Sequence, residues 1–306
     1  MQYTLARTIT LGGTGLHSGK AATVTLHPAP ADHGLTFHRT DLSAPDNVIP
    51  VTPEFWVEAS LCTVLANPAG ASVGTIEHLL AALHGCGVHN LRIDIDGPEV
   101  PILDGSAAPF VARILQAGLK ACDAPLQVLR LLRPVTVTQG AARASLFPSD
   151  VLEVAFQIDF ADRAIGTQSH DLRMSNGTFL KELSDCRTFC MRADVEAMQA
   201  RGLALGGSLE NALVFDQGEL LSPGGLRRAD EPVRHKMLDA MGDLYVAGRP
   251  IIGRYEGVRA GHALTGRLLR EVLADPDNYS LTPCAPQELG RLPGANISLR
   301  DLPFVA

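Results

Sequence analysis

The chain has 306 residues, 46% hydrophobic and 19% charged, with a formal net charge of −7. That is enough apolar sequence for a large core, in one large domain or two of ordinary size. The acidic balance, with no Lys/Arg run interleaved with aromatics, excludes nucleic acid as an expected partner and leaves an anionic substrate needing a local basic patch.

The N-terminal "MQYTLARTITLGG" has no basic segment leading into an apolar run, so it does not read as a signal peptide. No stretch reaches the ~18 apolar residues of a membrane span. Six scattered cysteines (Cys62, Cys86, Cys122, Cys186, Cys190 and Cys284) make no disulfide framework. They read as reduced, mostly buried thiols of a cytosolic protein. Cys186 and Cys190 would share a face if "DCRTF" were a strand, but two cysteines without nearby partners make a poor zinc site.

The first forty residues predict strands: "TITL", "ATVTLHP" and "GLTFHRTD" alternate apolar and polar residues between glycine and proline punctuation. "GTIEHLLAALHGCG" predicts a helix, with Ile76, Leu79, Leu80 and Leu83 at helical spacing and Gly85 and Gly87 at its end. "NLRIDIDG" is an alternating strand with Leu91, Ile93 and Ile95 turned inward. "SAAPFVARILQAGL" is a helix with Ser106 as N-cap and Pro109 in its first turn. "KACDAPLQ", residues 120–127, reads as a linker. Strands resume in "PVTVTQG" and "LEVAFQIDF". "RADVEAMQARGLALGGSLENALVF" reads as an inserted helix, a glycine turn and a strand. A helix over "EPVRHKMLDAMGDL", the strand "PIIGRYEG" and the helix "HALTGRLLREVL" follow. The tail after Asp275 is proline-rich and carries no clear pattern.

Both halves end in helix, strand, helix. Aligning His78 with His235 gives an offset of 157 residues, which also aligns Gly105 with His262. This predicts an α+β fold built from a duplicated unit, each half a mostly antiparallel sheet covered by two helices, with a histidine-bearing helix of each half offered to a shared interface. The boundaries read as 1–122, a linker at 123–127, 128–276 with a βαβ insert at about 190–215, and a tail at 277–306.

On a helix, His235, Asp239, Gly242 and Val246 form one narrow stripe beside an apolar stripe of Leu238, Met241 and Tyr245. A solvated face would not usually carry Gly242 and Val246 in line with its polar residues. Alone, the His235/Asp239 pair is more often a helix-surface pair than a ligand pair, and Glu77-His78 more often contains a core histidine. Together His78, His235 and Asp239 supply two imidazoles and a carboxylate, the ligand count of an open catalytic zinc site. The same set suits iron. Glu77, beside a ligand histidine, would be the general base. His262, at a predicted helix N-terminus, reads as a general acid or oxyanion stabiliser, with Asp243 as its candidate partner. The helix end favours its neutral form and a carboxylate its cation. The glycine-rich "GGTGLHSGK" breaks both phosphate-loop templates, at Ser18 and at Thr14, and reads as a tight β-connection.

"TIEHLLAALHGCGVHNLRIDIDGPEVPILDGSAAPFV", "CRTF", "LALGGSLENALV", "HKMLDAMGDLYVAG" and "GHAL" together resemble the UDP-3-O-acyl-N-acetylglucosamine deacetylase family of Gram-negative bacteria. "GLHSG" and "HPAPADHGLTFHRTDL" fit its N-terminal portion, and the likeness runs over roughly residues 1–275. The resemblance implies an α+β fold of two similar two-layer α/β sandwich domains, a small insert in each and the active site at their interface, in a cytoplasmic zinc amidase with one Zn²⁺ per chain. It removes acetate from an acylated UDP-N-acetylglucosamine in lipid A synthesis. It implies His78, His235 and Asp239 as zinc ligands, Glu77 as base, His262 with Asp243 as acid, and Thr188 as oxyanion donor. It places Lys236 at the substrate's polar part, although Lys236 points about 100° from the His235 stripe. It places Phe189 against the sugar or nucleotide, with Leu16 bordering the site. The insert, including Val195, Met198, Ala204, Gly207, Ser208 and Leu209, would form the acyl-chain passage, its small Gly206, Gly207 and Ser208 suiting a chain close to backbone. Cys190-Met191 stand where the family often has Gly-Phe, and "AGHALT" where "SGHALN" is common. The rival readings are a zinc amidohydrolase of another acylated amine and a binding protein whose metal ties two halves together. The C-terminal "LPFVA" is open to two readings: a recognition tail for a protease, or a strand edge or disordered end, the latter the better supported.

Overall fold

The computed structural model describes residues 1–303. Alternating strands form a five-stranded sheet in the order Ile9–Thr14, Ala21–Pro28, Leu91–Ile95, Leu35–Arg39, Val48–Pro50. Val24, Leu26, Phe37, Ile93 and Ile95 lie on one face and are fully buried, as a period of two requires of a half-covered sheet. Leu35–Arg39 runs parallel to Leu91–Ile95 and the other pairs are antiparallel. A seven-stranded sheet in the second half centres on Ile251–Val258, which pairs antiparallel with Ala142–Phe147 and parallel with Leu152–Asp159. Val135–Gln139 extends the first of these and Thr167–Arg173 the second, both antiparallel. Both sheets therefore contain the same succession of pairings around one central strand.

The helices are α1 (Glu77–Gly85), α2 (Ala108–Ala117), the short α3 (Thr178–Glu182), α4 (Arg192–Gln199), α5 (Glu231–Tyr245), α6 (His262–Ala274) and the single turn α7 (Pro286–Leu289). Every residue of α1 is buried, Glu77, His78 and His84 included, so the helix is covered on all sides. It packs along α5, and α5 against α6. The α5 helix starts with Pro232 in its first turn, where the missing N–H has no intrahelical partner to lose. Gly242 lets the two helices touch: a Cβ there would lie 2.0 Å from the Glu77 carbonyl oxygen. The Tyr245 hydroxyl donates to the Val88 carbonyl at 2.6 Å, and its ring stacks on His84 with centroids 4.3 Å apart.

Several expectations need correction. Lys120–Cys122 is not linker: it belongs to the strand Leu119–Cys122, paired with Gln2–Leu5, and Gln127 already begins the strand Gln127–Leu131. Ser106 stands one position before the N-cap of α2, although its hydroxyl still accepts from the Ala108 N–H at 3.2 Å. "DCRTF" leaves a turn at Asp185 and runs as irregular backbone over Cys186, Arg187 and Thr188, with a strand only from Phe189 to Met191. The tail is ordered into structure: Tyr279–Pro283 pairs antiparallel with Gln127–Leu131, and Leu292 packs with Leu126, Val128 and Ile252. Phe304, Val305 and Ala306, the end of "LPFVA", lie outside the described residues.

Two small additions flank the main sheets. Trp56–Val57, Val64–Ala66 and Ser72–Val73 form a three-stranded sheet in the first half. In the second, Phe189–Met191 and Leu213–Asp216 pair in parallel with α4 between them. Among the described residues no helix is long and apolar enough to cross a membrane.

Candidate metal centre and cavity

The contact between α1 and α5 decides what the polar stripe faces. One turn of α5 separates His235 from Asp239, and α1 brings His78 alongside. The rings of His78 and His235 meet edge to face, centroids 5.0 Å apart. Asp239 Oδ1 lies 3.5 Å from His78 Nε2 and 3.2 Å from His235 Nε2. One ligand atom from each of the three residues falls within 4.8 Å of the other two, and all three side chains are buried. It is the sole group of this kind among the described residues.

The hydrogen bonds around it leave the inner atoms free. His235 Nδ1 donates to the Cys186 carbonyl at 3.0 Å, so its Nε2 carries the lone pair. Burial, only partly offset by Asp239, pushes the His235 pKa down to about 3, so the ring is neutral. Asp239 Oδ2 accepts from Lys236 Nζ at 2.6 Å, while Oδ1 is buried with no hydrogen-bond partner. Burial opposes its ionisation, but the positive charges of Lys236 and His262 hold its pKa well below the usual carboxylate range. His78 Nδ1 and Asp239 Oδ1 are both buried without a hydrogen-bond partner, which is costly at this depth. A cation between the two Nε2 atoms and Oδ1 would satisfy that oxygen, and two histidines with one carboxylate are a fit donor set for a divalent zinc-like ion.

Next to this centre, Glu77 Oε2 accepts from the Thr63 backbone N–H at 2.9 Å, and Oε1 lies 3.9 Å from His262 Nε2. Burial raises the Glu77 pKa, against the pull of His262 and His78. His262 is the first residue of α6. Its Nδ1 meets Asp243 Oδ1 and Oδ2 at 3.1 and 3.0 Å. Burial lowers its pKa, but Asp243, Glu77 and Asp239 together outweigh that and raise it to about 9. The carboxylates therefore decide between the two forms that the sequence left open.

His235, Asp239, Lys236 and His262 line one end of a cavity of about 870 Å³. Thr188, Phe189, Leu16, Val195, Met198, Ala204, Gly207, Ser208 and Leu209 line it as well. All the expected substrate-contacting residues thus meet around one space. Gly206 does not line it; a Cβ there would lie 2.2 Å from the Gly15 carbonyl oxygen, so its smallness serves loop packing. Lys236 reaches the cavity despite its angular offset, because its long side chain bends back to Asp239 three residues on.

The "GLHSG" loop closes against the insert: Gly206 N–H donates to Leu16 O at 2.9 Å and Leu205 N–H to His17 O at 3.2 Å. Glu99 pins that loop, accepting from the backbone N–H of His17 and of Ser18, both at 2.8 Å. Thr63, His17, Phe160 and Glu99 escaped the sequence reading. His17 had a signal, a histidine inside a glycine-rich turn. Thr63, in "LCTVL", had none.

A family profile described as UDP-3-O-acyl N-acetylglycosamine deacetylase matches residues 2–274. A curated protein named UDP-3-O-acyl-N-acetylglucosamine deacetylase from Phenylobacterium zucineum (strain HLK1) is 50% identical over 278 residues, 91% of this chain and 95% of that one. The protein of the same name from Myxococcus xanthus (strain DK1622) is 48% identical over 288 residues, 94% of this chain and 91% of that one. A third, from Geobacter sp. (strain M21), is 46% identical over 286 residues, covering 94% of this chain and 93% of the relative.

Proposed function

Because the chain belongs to the UDP-3-O-acyl N-acetylglycosamine deacetylase family, we propose that it hydrolyses the N-acetyl amide of UDP-3-O-(hydroxyacyl)-N-acetylglucosamine, releasing acetate, in lipid A biosynthesis. The observation that carries the reading is the unpartnered, buried Asp239 Oδ1 between two imidazole Nε2 atoms at the end of a large, mostly apolar-lined cavity.

His78, His235 and Asp239 would hold one Zn²⁺ per chain. Zinc, when bound, supplies Lewis acidity toward water and the amide carbonyl. Glu77 takes the proton from the attacking water: burial makes it a stronger base than an exposed glutamate, and its Oε1 is the oxygen left unoccupied by Thr63. Cationic His262, anchored by Asp243, stabilises the developing oxyanion and protonates the leaving amine. Thr188 donates its hydroxyl to the same oxyanion. Lys236 neutralises Asp239 on its outer oxygen and faces the polar part of the substrate. Phe189, which meets both Phe160 and His235 edge to face, contacts the sugar or nucleotide. Leu16, Val195, Met198, Ala204, Gly207, Ser208 and Leu209 line the acyl-chain passage.

We read the architecture as a duplicated sandwich, 1–122 and 128–276, on the matched strand pairings of the two sheets. The six unpaired thiols support a cytoplasmic location. The test is metal content together with acetate release from the acylated UDP-N-acetylglucosamine, in wild type and in His78→Ala. One zinc per chain with activity, both lost in the variant, is the expected result. Zinc without acetate release would move the function to another acyl amine or to binding alone. No stoichiometric metal would return His235 and Asp239 to a structural pair.

A further inference from the structure

Thr63 sits just ahead of the strand Val64–Ala66 in the small sheet of the first half, 1% exposed. It contacts both sides of the proposed proton path. Its backbone N–H donates to Glu77 Oε2 at 2.9 Å. Its hydroxyl donates to Asp243 Oδ1 and lies 3.4 Å from His262 Nδ1. Glu77 is on α1, Asp243 on α5 and His262 on α6, so one residue from a fourth element ties all three together.

The donor pattern has a directional consequence. A carboxylate can accept in several directions, and His262 Nδ1 by itself, nearly equidistant from both Asp243 oxygens, would let that group rock. A hydroxyl on Oδ1 removes that freedom and aims the opposite nitrogen of His262, Nε2, toward Glu77 Oε1 and Asp239 Oδ2. The N–H on Glu77 Oε2 likewise settles which oxygen of that carboxylate stays unoccupied. We propose that Thr63 is a positioning residue of the deacetylase site: it holds the Glu77 base and the Asp243–His262 pair in one fixed relation and touches no substrate itself. This rests on the function proposed above.

The test separates the hydroxyl from the methyl. Thr63→Val keeps the shape and removes the hydroxyl. Thr63→Ser keeps the hydroxyl and removes the methyl. Hydrogen bonds to charged groups are strong enough that Thr63→Val should lower kcat roughly 10- to 100-fold with KM little changed. Thr63→Ser should recover most of that loss. Zinc content should stay near that of wild type in both, and Thr63→Val should melt no lower than the loss of one buried hydrogen bond implies. A packing role predicts the reverse order, with Thr63→Val active and Thr63→Ser impaired, and that outcome overturns the proposal, as does equal kcat in both. If Thr63→Val does not fold, Thr63→Ser is compared with Thr63→Ala, which differs from it only by the hydroxyl. Wild type is assayed first: a wild type that releases no acetate refutes the proposed function, whereas an active wild type with an equally active Thr63→Val refutes only the role of Thr63.

Discussion

At His262, burial alone would strip the ring of its proton, yet Asp243, Glu77 and Asp239 surround it closely enough to keep it charged to about pH 9. On Glu77 the same loss of water acts in the other direction and raises the pKa, against the pull of His262 and His78. In the proposed reaction the cation at His262 would serve as the acid and Glu77, a stronger base than an exposed glutamate, would take the proton of water. Replacing Glu77 by Ala leaves His78, His235 and Asp239 intact. The expected outcome is full zinc content with kcat lowered by roughly 10²- to 10⁴-fold. Metal analysis beside steady-state kinetics checks both halves of that statement, and an unchanged kcat would remove Glu77 from the base role.

The crossing of α1 and α5 sets the spacing of the centre. Gly242 allows the helix backbones to touch, and an added Cβ would meet the Glu77 carbonyl. Gly242→Ala should therefore separate the helices, lowering stability by about 1–3 kcal/mol and reducing zinc affinity, as followed by urea unfolding and competition with a chelator. Two turns along α1 from Glu77, His84 is buried against Tyr245, with Nδ1 3.3 Å from the Met241 carbonyl. Burial lowers its pKa from 6.5 to about 4. The sign follows: the unfolded chain takes up the proton first, so the stabilisation is complete above pH 6.5 and is lost as pH falls toward 4. Over that window the loss amounts to about 3 kcal/mol. Urea midpoints at pH 7.5 and 4.5 should differ less in His84→Gln than in wild type; equal differences would dismiss the effect.

Across the whole molecule, the proposed metal centre would join the first half, through His78, to the second, through His235 and Asp239. An ion bound only by the folded chain stabilises it by mass action. Chelation should lower the thermal midpoint, and added zinc should restore it; a midpoint indifferent to zinc would mean that the three ligands do not act as one site. The tail also has a structural role. Ending the chain at Asp275 removes the strand Tyr279–Pro283 and the Leu292 contact, uncovering Val128 and Ile252. Such a variant should melt several degrees lower than wild type, by roughly the burial of a few apolar side chains.

Local pattern was enough to locate most of this protein. Alternation identified the strands around Val24 and Ile93, helical spacing identified α1, α5 and α6, and the stripe of His235, Asp239 and Gly242 marked a face unlike a solvated one. These are signals of short range, carried by residues two to four apart. The quoted motifs carried the family. The strands Gln2–Leu5, Leu119–Cys122 and Tyr279–Pro283 escaped because their partners are distant in sequence and their apolar alternation is weak. Thr63 escaped for a related reason: a threonine in an unremarkable segment gains its place only when a small sheet carries it between three helices. The types of the chemical groups were set by the sequence by itself. Which form His262 takes, which oxygen of Glu77 is free and how Lys236 reaches the cavity were decided by tertiary structure, because charge states and hydrogen-bond directions depend on burial and on neighbours that only folding brings within a few ångströms.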